Sequence, residues 1–386
     1  MNNSFLNPEQ WTYKYCPSNR EESIDWGSVF NAHIWVREME GVPQDPIFHA
    51  EGDVLRHTQN VCEALVSLDE WLQLEQTEQS IVFLAALLHD VGKPICTSEE
   101  DGVIKSRGHA RKGELISRGI LYRGHKFEKA IPISIREKIA KLVRFHGLPL
   151  SLMDKENPEK QITVVSQMIN LDWLAMLSKA DVLGRISKDR NELLEKIELF
   201  KEYCEENQCY EKPKKFPDSF SRFFYFRKEN GYAGYKAYDN TTFEVIVMSG
   251  LPASGKDTWI KNNNKGMPII CLDDIRAEIR IDPEDDQGRV IQYAKEMAKK
   301  YMRKKNSFIW NATNVTKMIR EQLVDLFVSY GAKVKIVYIE APYQEIIKRN
   351  SDRDKPVPEK IIEKLIDKLE VPDVTEAHEV LWVINK

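Results

Sequence analysis

Apolar residues in the first half of the chain recur at steps of three and four, most plainly over residues 54–68 and 80–88. That period predicts helices with one buried face, and the stretch to about residue 190 reads as helices separated by polar loops. Residues 191–239 are mixed: a charged helical run passes through Lys-Pro-Lys-Lys-Phe-Pro into an aromatic, Arg- and Lys-bearing stretch at 216–238. Beyond it, β-rich runs at Phe243–Ser249, 268–272, 307–310, 333–339 and 380–384 alternate with amphipathic segments such as 288–305 and 316–330. Strands alternating with helices predict a parallel sheet covered on both faces. The chain of 386 residues is therefore expected to be multidomain. An all-α domain at 1–190 and a linker at 191–240 precede an α/β domain with a parallel sheet at 241–386.

Composition narrows this only slightly. Hydrophobic content of 42% and aromatic content of 10% suffice for ordinary cores, and a net charge of −4 argues against an overall basic surface. A local basic groove for nucleic acid remains compatible with that total. The six cysteines form no C-x-x-C pair, and the spacing of Cys204 and Cys209 matches no zinc pattern, so reduced thiols are expected. The opening Met-Asn-Asn-Ser has no apolar leader, and no apolar run is long enough to span a bilayer. These features predict a cytoplasmic protein without a membrane partner. The oligomeric state is left open.

The strongest local motif follows the first β-rich run. Gly250-Leu-Pro-Ala-Ser254-Gly255-Lys256-Asp257-Thr258 fits G-x-x-x-x-G-K between a strand and a helix. Such a turn lets backbone N–H groups converge on phosphate oxygens, aided by the positive end of the next helix, with Lys256 reaching the β- and γ-phosphates. The predicted ligand is ATP, or another NTP, with Mg²⁺. One departure stands out: Asp257 occupies the place of the usual magnesium-binding hydroxyl. Its carboxylate could bind the metal directly or through water, or Thr258 could assist the phosphates instead.

Downstream features sharpen this into phosphotransfer. Asp273, Asp274 and Arg276 follow the second β-rich run, where open α/β sheets hold their chemistry. A carboxylate there could take a proton from an attacking hydroxyl, and Arg276 could hold a substrate phosphate. Asn311, Thr313 and Asn314 end the third run, and Arg349 and Arg353 precede Val357-Pro358. Two arginines four apart at the start of a mobile segment could close over ATP and stabilise the transferring phosphoryl group. Taken together, the region from Thr242 resembles the 5′-OH polynucleotide kinase family. The resemblance implies that Asp273 is the general base, with Asp274 as fallback, and that Arg276 holds the acceptor's phosphate. It further implies that Thr313 and Asn314 contact polynucleotide and that Arg349 and Arg353 form the lid. Asn311 stands where many members have aspartate.

The first half carries a different chemistry. His57 lies on one predicted helix, and His89-Asp90 closes another as His-Asp-Val-Gly-Lys93-Pro; His109, His146 and Asp181 follow. A histidine–aspartate pair at a helix end, with a distant histidine and a distant aspartate, supplies four N/O ligands for a transition metal. Mn²⁺, Ni²⁺, Co²⁺, Fe²⁺ and Zn²⁺ all suit them. His109 and His146 could complete a second site sharing Asp90. His33, His49, His125 and His378 are expected to be ordinary core or surface residues. The order H…HD…D resembles the HD phosphohydrolase superfamily, and His49-Ala50-Glu51-Gly52-Asp53-Val54 before His57, with the runs H-D-x-G-K-P, G-H-x-x-x-G and A-D-x-x-G-R, resembles within it the HD domains of bacterial CCA-adding enzymes. That implies metal-activated hydrolysis of a phosphomonoester or cyclic phosphodiester. Lys93 is then a phosphate contact, or the residue that closes the turn.

One module removes phosphate and the other adds it, so the whole chain resembles the bacterial HD-Pnk family of bifunctional end-healing enzymes. The implied substrates are RNA or DNA ends: a 5′-OH to be phosphorylated and a 2′,3′-cyclic, 2′- or 3′-phosphate to be removed, with a separate RNA ligase as a possible partner. Two alternatives predict different behaviour. An HD nucleotidase fused to a nucleoside-type kinase would ignore oligonucleotide length, and an ATP-sensing regulated HD phosphohydrolase would bind ATP without turnover. The aromatic stretch at 216–238 could stack bases, but packing between domains is the expectation.

Overall fold

A computed structural model describes residues 11–281 and 287–385. The opening tetrapeptide, read as lacking a leader, lies outside the described residues. The chain divides into two units, one ending at Lys214 and the other beginning at Lys215.

In the first unit, α1 (Val54–Val66) starts where the Asp53 carboxylate accepts from the Arg56 N–H, and His57 lies on its buried face beside Val54 and Val61. The next helix, α2 (Gln76–Leu88), begins earlier than the apolar run suggested, at a capping box formed by Glu75 and Glu78. It is buried from Gln79 through Leu88, so it lies at the centre of the unit and needs no polar face. Around it stand α3 (His109–Arg123), α4 (Ile133–Phe145) and α5 (Leu171–Gly184). Buried Arg118 of α3 pairs with Glu137 of α4 at 2.8 Å and with Glu114 at 2.7 Å, which ties these two helices together.

Among its described residues the regular structure of the unit is helical except for a short antiparallel hairpin, Ser98–Glu100 with Val103–Lys105. Helix periodicity does not reveal it. The signal was Asp101-Gly102, both at positive φ (54° and 76°), the dipeptide that favours a tight two-residue turn.

The second unit is a five-stranded parallel sheet. Its strands are β1 (Phe243–Ser249), β2 (Ile269–Cys271), β3 (Phe308–Asn311), β4 (Ala332–Glu340) and β5 (Glu379–Ile384), in the order β2-β3-β1-β4-β5. Central β1 pairs Val245 with Phe308 on one side and with Val334 on the other. Its side chains alternate between two cores, Val245 and Val247 in one and Ile246 and Met248 in the other. Those cores are closed by helices on opposite faces, which is why the strand reads as continuously apolar.

Residues 191–240, expected as a linker, are shared out. A helix, α6 (Arg190–Glu206), buries Ile197, Phe200 and Cys204 in the first core, whereas α7 (Ser219–Arg227) buries Phe223 in the second. Phe223 packs on His378 with ring centroids 4.0 Å apart, inside the second unit rather than between domains. No helix among the described residues is long and apolar enough to cross a membrane.

Candidate active sites

In the first unit, side chains from distant segments meet at one buried point. His57 Nε2 lies 3.1 Å from Asp181 Oδ1, 3.4 Å from His89 Nε2 and 3.8 Å from Asp90 Oδ2. The other carboxylate oxygen of Asp90, Oδ1, faces His109 Nε2 at 3.4 Å, and His109 in turn meets His146 Nε2 at 3.4 Å. Five of the six residues anticipated as ligands fall into two groups that share Asp90, His57 and His89 in one and His109 and His146 in the other, and Asp181 joins through its contact with His57. Gly92 makes this possible: a Cβ there would sit 2.2 Å from the His109 carbonyl oxygen, so only glycine lets α3 start this close to the His89-Asp90 turn.

The hydrogen bonds behind the ring suit metal binding. His89, His109 and His146 each give Nδ1–H to the backbone carbonyl three residues back (Ala86, Ser106 and Val143), at 2.7 to 2.8 Å. His57 Nδ1 meets Glu51 Oε1 at 2.8 Å instead. Fixing Nδ1 as the donor in His89, His109 and His146 leaves their Nε2 lone pairs aimed into the cluster, the usual support of a metal-ligating imidazole. Asp90 is the focus. Both its oxygens are buried without a directed hydrogen bond, although three imidazoles and Lys93 surround them. A buried carboxylate set among imidazole lone pairs is a donor set that a divalent cation satisfies. The ring fits the metal expected of it.

Electrostatics follow from this packing. Burial raises the Asp90 carboxyl's pKa, but His89 and Lys93 outweigh it and hold the group well below the ordinary range. Burial lowers His89, yet the adjacent Asp90 charge leaves it raised. Burial, reinforced by neighbouring His89 and His109, pushes His146 down to about 3, so it is neutral and available as a ligand at ordinary pH.

Several participants were not singled out from sequence. Glu51 receives His57, His49 (2.9 Å) and the Ile186 N–H (2.8 Å). His49 was expected to be unremarkable; its ring stands 4.7 Å from that of His57, on the same carboxylate. Arg185 brackets Asp181, with contacts of 3.1 and 2.5 Å. Lys93 is held between Asp90 Oδ2 and Gln44 Oε1, each at 2.7 Å, and borders a cavity of about 440 Å³ that also meets Lys105, His109 and Arg185. The available signals were Arg185 four residues after Asp181 and Glu51 in the polar turn before α1. Gln44 carried none.

The second unit's site is built on the turn after β1. Gly250 (φ 141°) and Gly255 (φ 99°) let that turn curl, and a Cβ at Gly250 would lie 2.3 Å from the Ile339 carbonyl. The following helix, α8, is Lys256–Asn263. Lys256 Nζ donates back to the carbonyls of Gly250 (3.0 Å) and Leu251 (2.8 Å). Burial brings its pKa down to about 8, against the pull of Asp257 and Asp273.

A cleft of about 910 Å³ collects Lys256, Asp257, Thr258, Asp273, Arg276, Thr313, Arg349 and Arg353. Asp273 Oδ1 and Arg276 Nη1 are 2.5 Å apart, and Arg349 donates to Glu345 at 2.7 Å. Asp274 is exposed but does not line the cleft. Two expected participants do not line the cleft with their side chains. Ser254 is buried, and Asn314 is buried with its amide donating to the Met248 carbonyl at 2.8 Å, so Asn314 ties strand ends together instead of facing a polynucleotide. Asn350, within the run that carries Arg349 and Arg353, was assigned no role, and Asn385 was missed. Asn350 clasps Val357 in both directions (2.8 and 2.9 Å), which fixes the loop bearing Arg353, and Asn385 donates to the Ser254 carbonyl at 2.7 Å. Both act through backbone groups, and the partner of Asn385 leaves no side-chain pattern in sequence.

Comparison with known proteins matches these two regions separately. Residues 54–177 match the HD domain model, and residues 245–372 match an AAA domain model. The chain joins an HD domain to a P-loop kinase-like domain. The HD match ends before Asp181, which the fold nevertheless places beside His57. Over 135 residues the chain is 25% identical to the L-seryl-tRNA(Sec) kinase of Methanococcus maripaludis, covering 33% of this chain and 53% of that protein. The chain thus spans about half the length of that curated relative. Among solved structures it is similar to a protein of Chloroflexus aurantiacus designated a kinase (17% identity, 37% of this chain and 89% of that one, TM-score 0.31). It is also similar to Chaetomium thermophilum Kti12 bound to ADP-AlF3 (17% identity, 36% and 88%, TM-score 0.29).

Proposed function

We propose that the chain is a bifunctional nucleic-acid end-healing enzyme: its kinase domain phosphorylates a 5′-OH end with ATP, and its HD domain removes a 2′,3′-cyclic, 2′- or 3′-phosphate. The observation that carries this reading is the cleft that sets Asp273 and Arg276 opposite Lys256 with two further arginines. That set provides a proton acceptor, an anchor for an acceptor-side phosphate, and cations for the transferring group. The acceptor oxygen attacks the γ-phosphorus, the bond to ADP breaks, and the hydroxyl proton passes to Asp273. Lys256 and Arg353 offset the charge on the phosphoryl oxygens.

In the HD domain, His57, His89, Asp90 and Asp181 would hold one divalent cation, and His109 and His146 a second that shares Asp90. When bound, such a cation would supply a hydroxide nucleophile near neutral pH. Lys93 and Arg185, at the mouth of the neighbouring cavity, attract and orient the phosphate to be removed.

The relative's name suggests a second reading. L-seryl-tRNA(Sec) kinase is named for an acceptor hydroxyl carried on a tRNA, so a hydroxyl attached to RNA could be the acceptor here as well.

A single substrate tests these readings: a 5′-OH RNA ending in 2′,3′-cyclic phosphate, incubated with ATP and a series of divalent metals, with both ends analysed. A 5′-phosphate and a freed 3′ end are expected. Equal rates on nucleosides and on oligonucleotides would replace this reading with a metabolite kinase.

A further inference from the structure

The residue after the P-loop lysine is an aspartate, and the structure pairs it with an asparagine across the site. Asn311, the last residue of β3, donates its amide Nδ2–H to Asp257 Oδ1 at 2.7 Å. A carboxylate only accepts, so this contact fixes which way the Asn311 amide points. Its carbonyl oxygen is left buried and without a hydrogen-bond partner, on a residue only 7% exposed. Both residues line the cleft that contains Lys256 and Arg353.

P-loop NTPases generally hold Mg²⁺ between a hydroxyl following the lysine and an aspartate on a neighbouring strand. We propose that this chain has exchanged the two halves of that site: Asp257 supplies the carboxylate, and Asn311 Oδ1 supplies the neutral oxygen. The exchange keeps one negative charge across the pair. Aspartate at both positions would bring two carboxylates within hydrogen-bond distance, and like charges that close do not both stay ionised. The asparagine is therefore the partner that an aspartate at 257 requires, and its unpaired oxygen is the oxygen donor that the missing hydroxyl would have supplied. This inference rests on the nucleotide reading of the P-loop and is independent of the acceptor.

The test is calorimetric titration of the full chain with a non-hydrolysable ATP analogue, in Mg²⁺ and in EDTA, supported by electron paramagnetic resonance of Mn²⁺ in the complex. In the wild type, Mg²⁺ should tighten binding by about tenfold, within the coupling expected of contacting groups. Asp257→Ala should lose this enhancement and the bound-Mn²⁺ signature while still binding the nucleotide in EDTA. Asn311→Asp alone should weaken binding in Mg²⁺, and the double variant Asp257→Ser/Asn311→Asp, which restores the common arrangement, should recover most of the enhancement. An Asp257→Ala protein that kept its Mg²⁺ dependence, or a double variant no better than its singles, would overturn the exchange while leaving the nucleotide site intact. Failure of the wild type to bind the analogue under either condition would overturn the nucleotide reading, and the exchange with it.

Discussion

The two sites organise the same element, phosphorus, in opposite ways. The HD cluster draws its side chains from helices and turns far apart in sequence and buries them: His57, His89, Asp90 and Asp181 are each no more than 2% exposed. The kinase cleft takes Lys256 from one continuous turn, and Asp273, which pairs with Arg276, has a side chain 74% exposed. In the first, packing presets the ligand geometry before anything binds, as a metal site requires. In the second, Lys256, Arg276 and Arg349 each rest on a protein group: a backbone carbonyl, Asp273 and Glu345. A buried site should therefore fail through its scaffold, and an open one through its individual charges.

The largest effect that tests this contrast is separation of the activities. Lys256→Ala should cut phosphotransfer by about a thousandfold or more and leave phosphate release unchanged, and Asp90→Ala should do the reverse, as expected for groups acting within a unit. End analysis of the doubly modified RNA reads both at once, and a loss of both activities in either variant would refute the separation.

Next comes the scaffold. Arg118→Ala removes the cation that Glu114 and Glu137 share, leaving Glu114 with Lys141 and Glu137 with Arg136, and should destabilise the HD domain by about 1–3 kcal/mol. Faster amide exchange confined to α3 and α4, with the kinase sheet unaffected, is the expected result.

Glu51→Gln keeps the shape but removes the charge behind His57, and should weaken metal affinity by about ten- to a hundredfold, measured by competition with a chelator. Unchanged affinity would mean that Glu51 has no role in orienting the imidazole.

The smallest effect lies in acid stability. Burial holds His378 at about 4, its Nδ1 accepting from the Val334 N–H at 3.0 Å. A folded pKa below the unfolded value means that stability is full above the unfolded pKa and is lost as pH falls, since only the unfolded chain then takes up the proton. Denaturant titrations of the kinase domain should show a loss of about 1 kcal/mol on going from pH 7.5 to pH 6, continuing downward until the folded pKa is reached. His378→Gln should flatten that slope, while the HD domain, where burial likewise holds His33 at about 4, keeps its own.

The sequence by itself determined the elements and the contiguous chemistry. Period three-to-four marked the helix bearing His57, and apolar runs with β-branched residues marked the strands, because those patterns are imposed by one residue's neighbours along the chain. The P-loop was legible for the same reason: backbone N–H groups converge through local φ angles, which Gly250 and Gly255 announce. The choice of histidines and aspartates in the HD cluster was legible as a set of types. Only the tertiary structure decided which of them meet. Asp90 faces two groups of imidazoles because Gly92 admits α3, and Glu51, Gln44 and Asn350 matter because packing brings them to partners that their sequence neighbours do not specify. The same holds for Asp257. Its identity was plain in the sequence, but its partner Asn311 lies on another strand, and a 2.7 Å hydrogen bond between strand end and helix start is fixed by how the sheet closes.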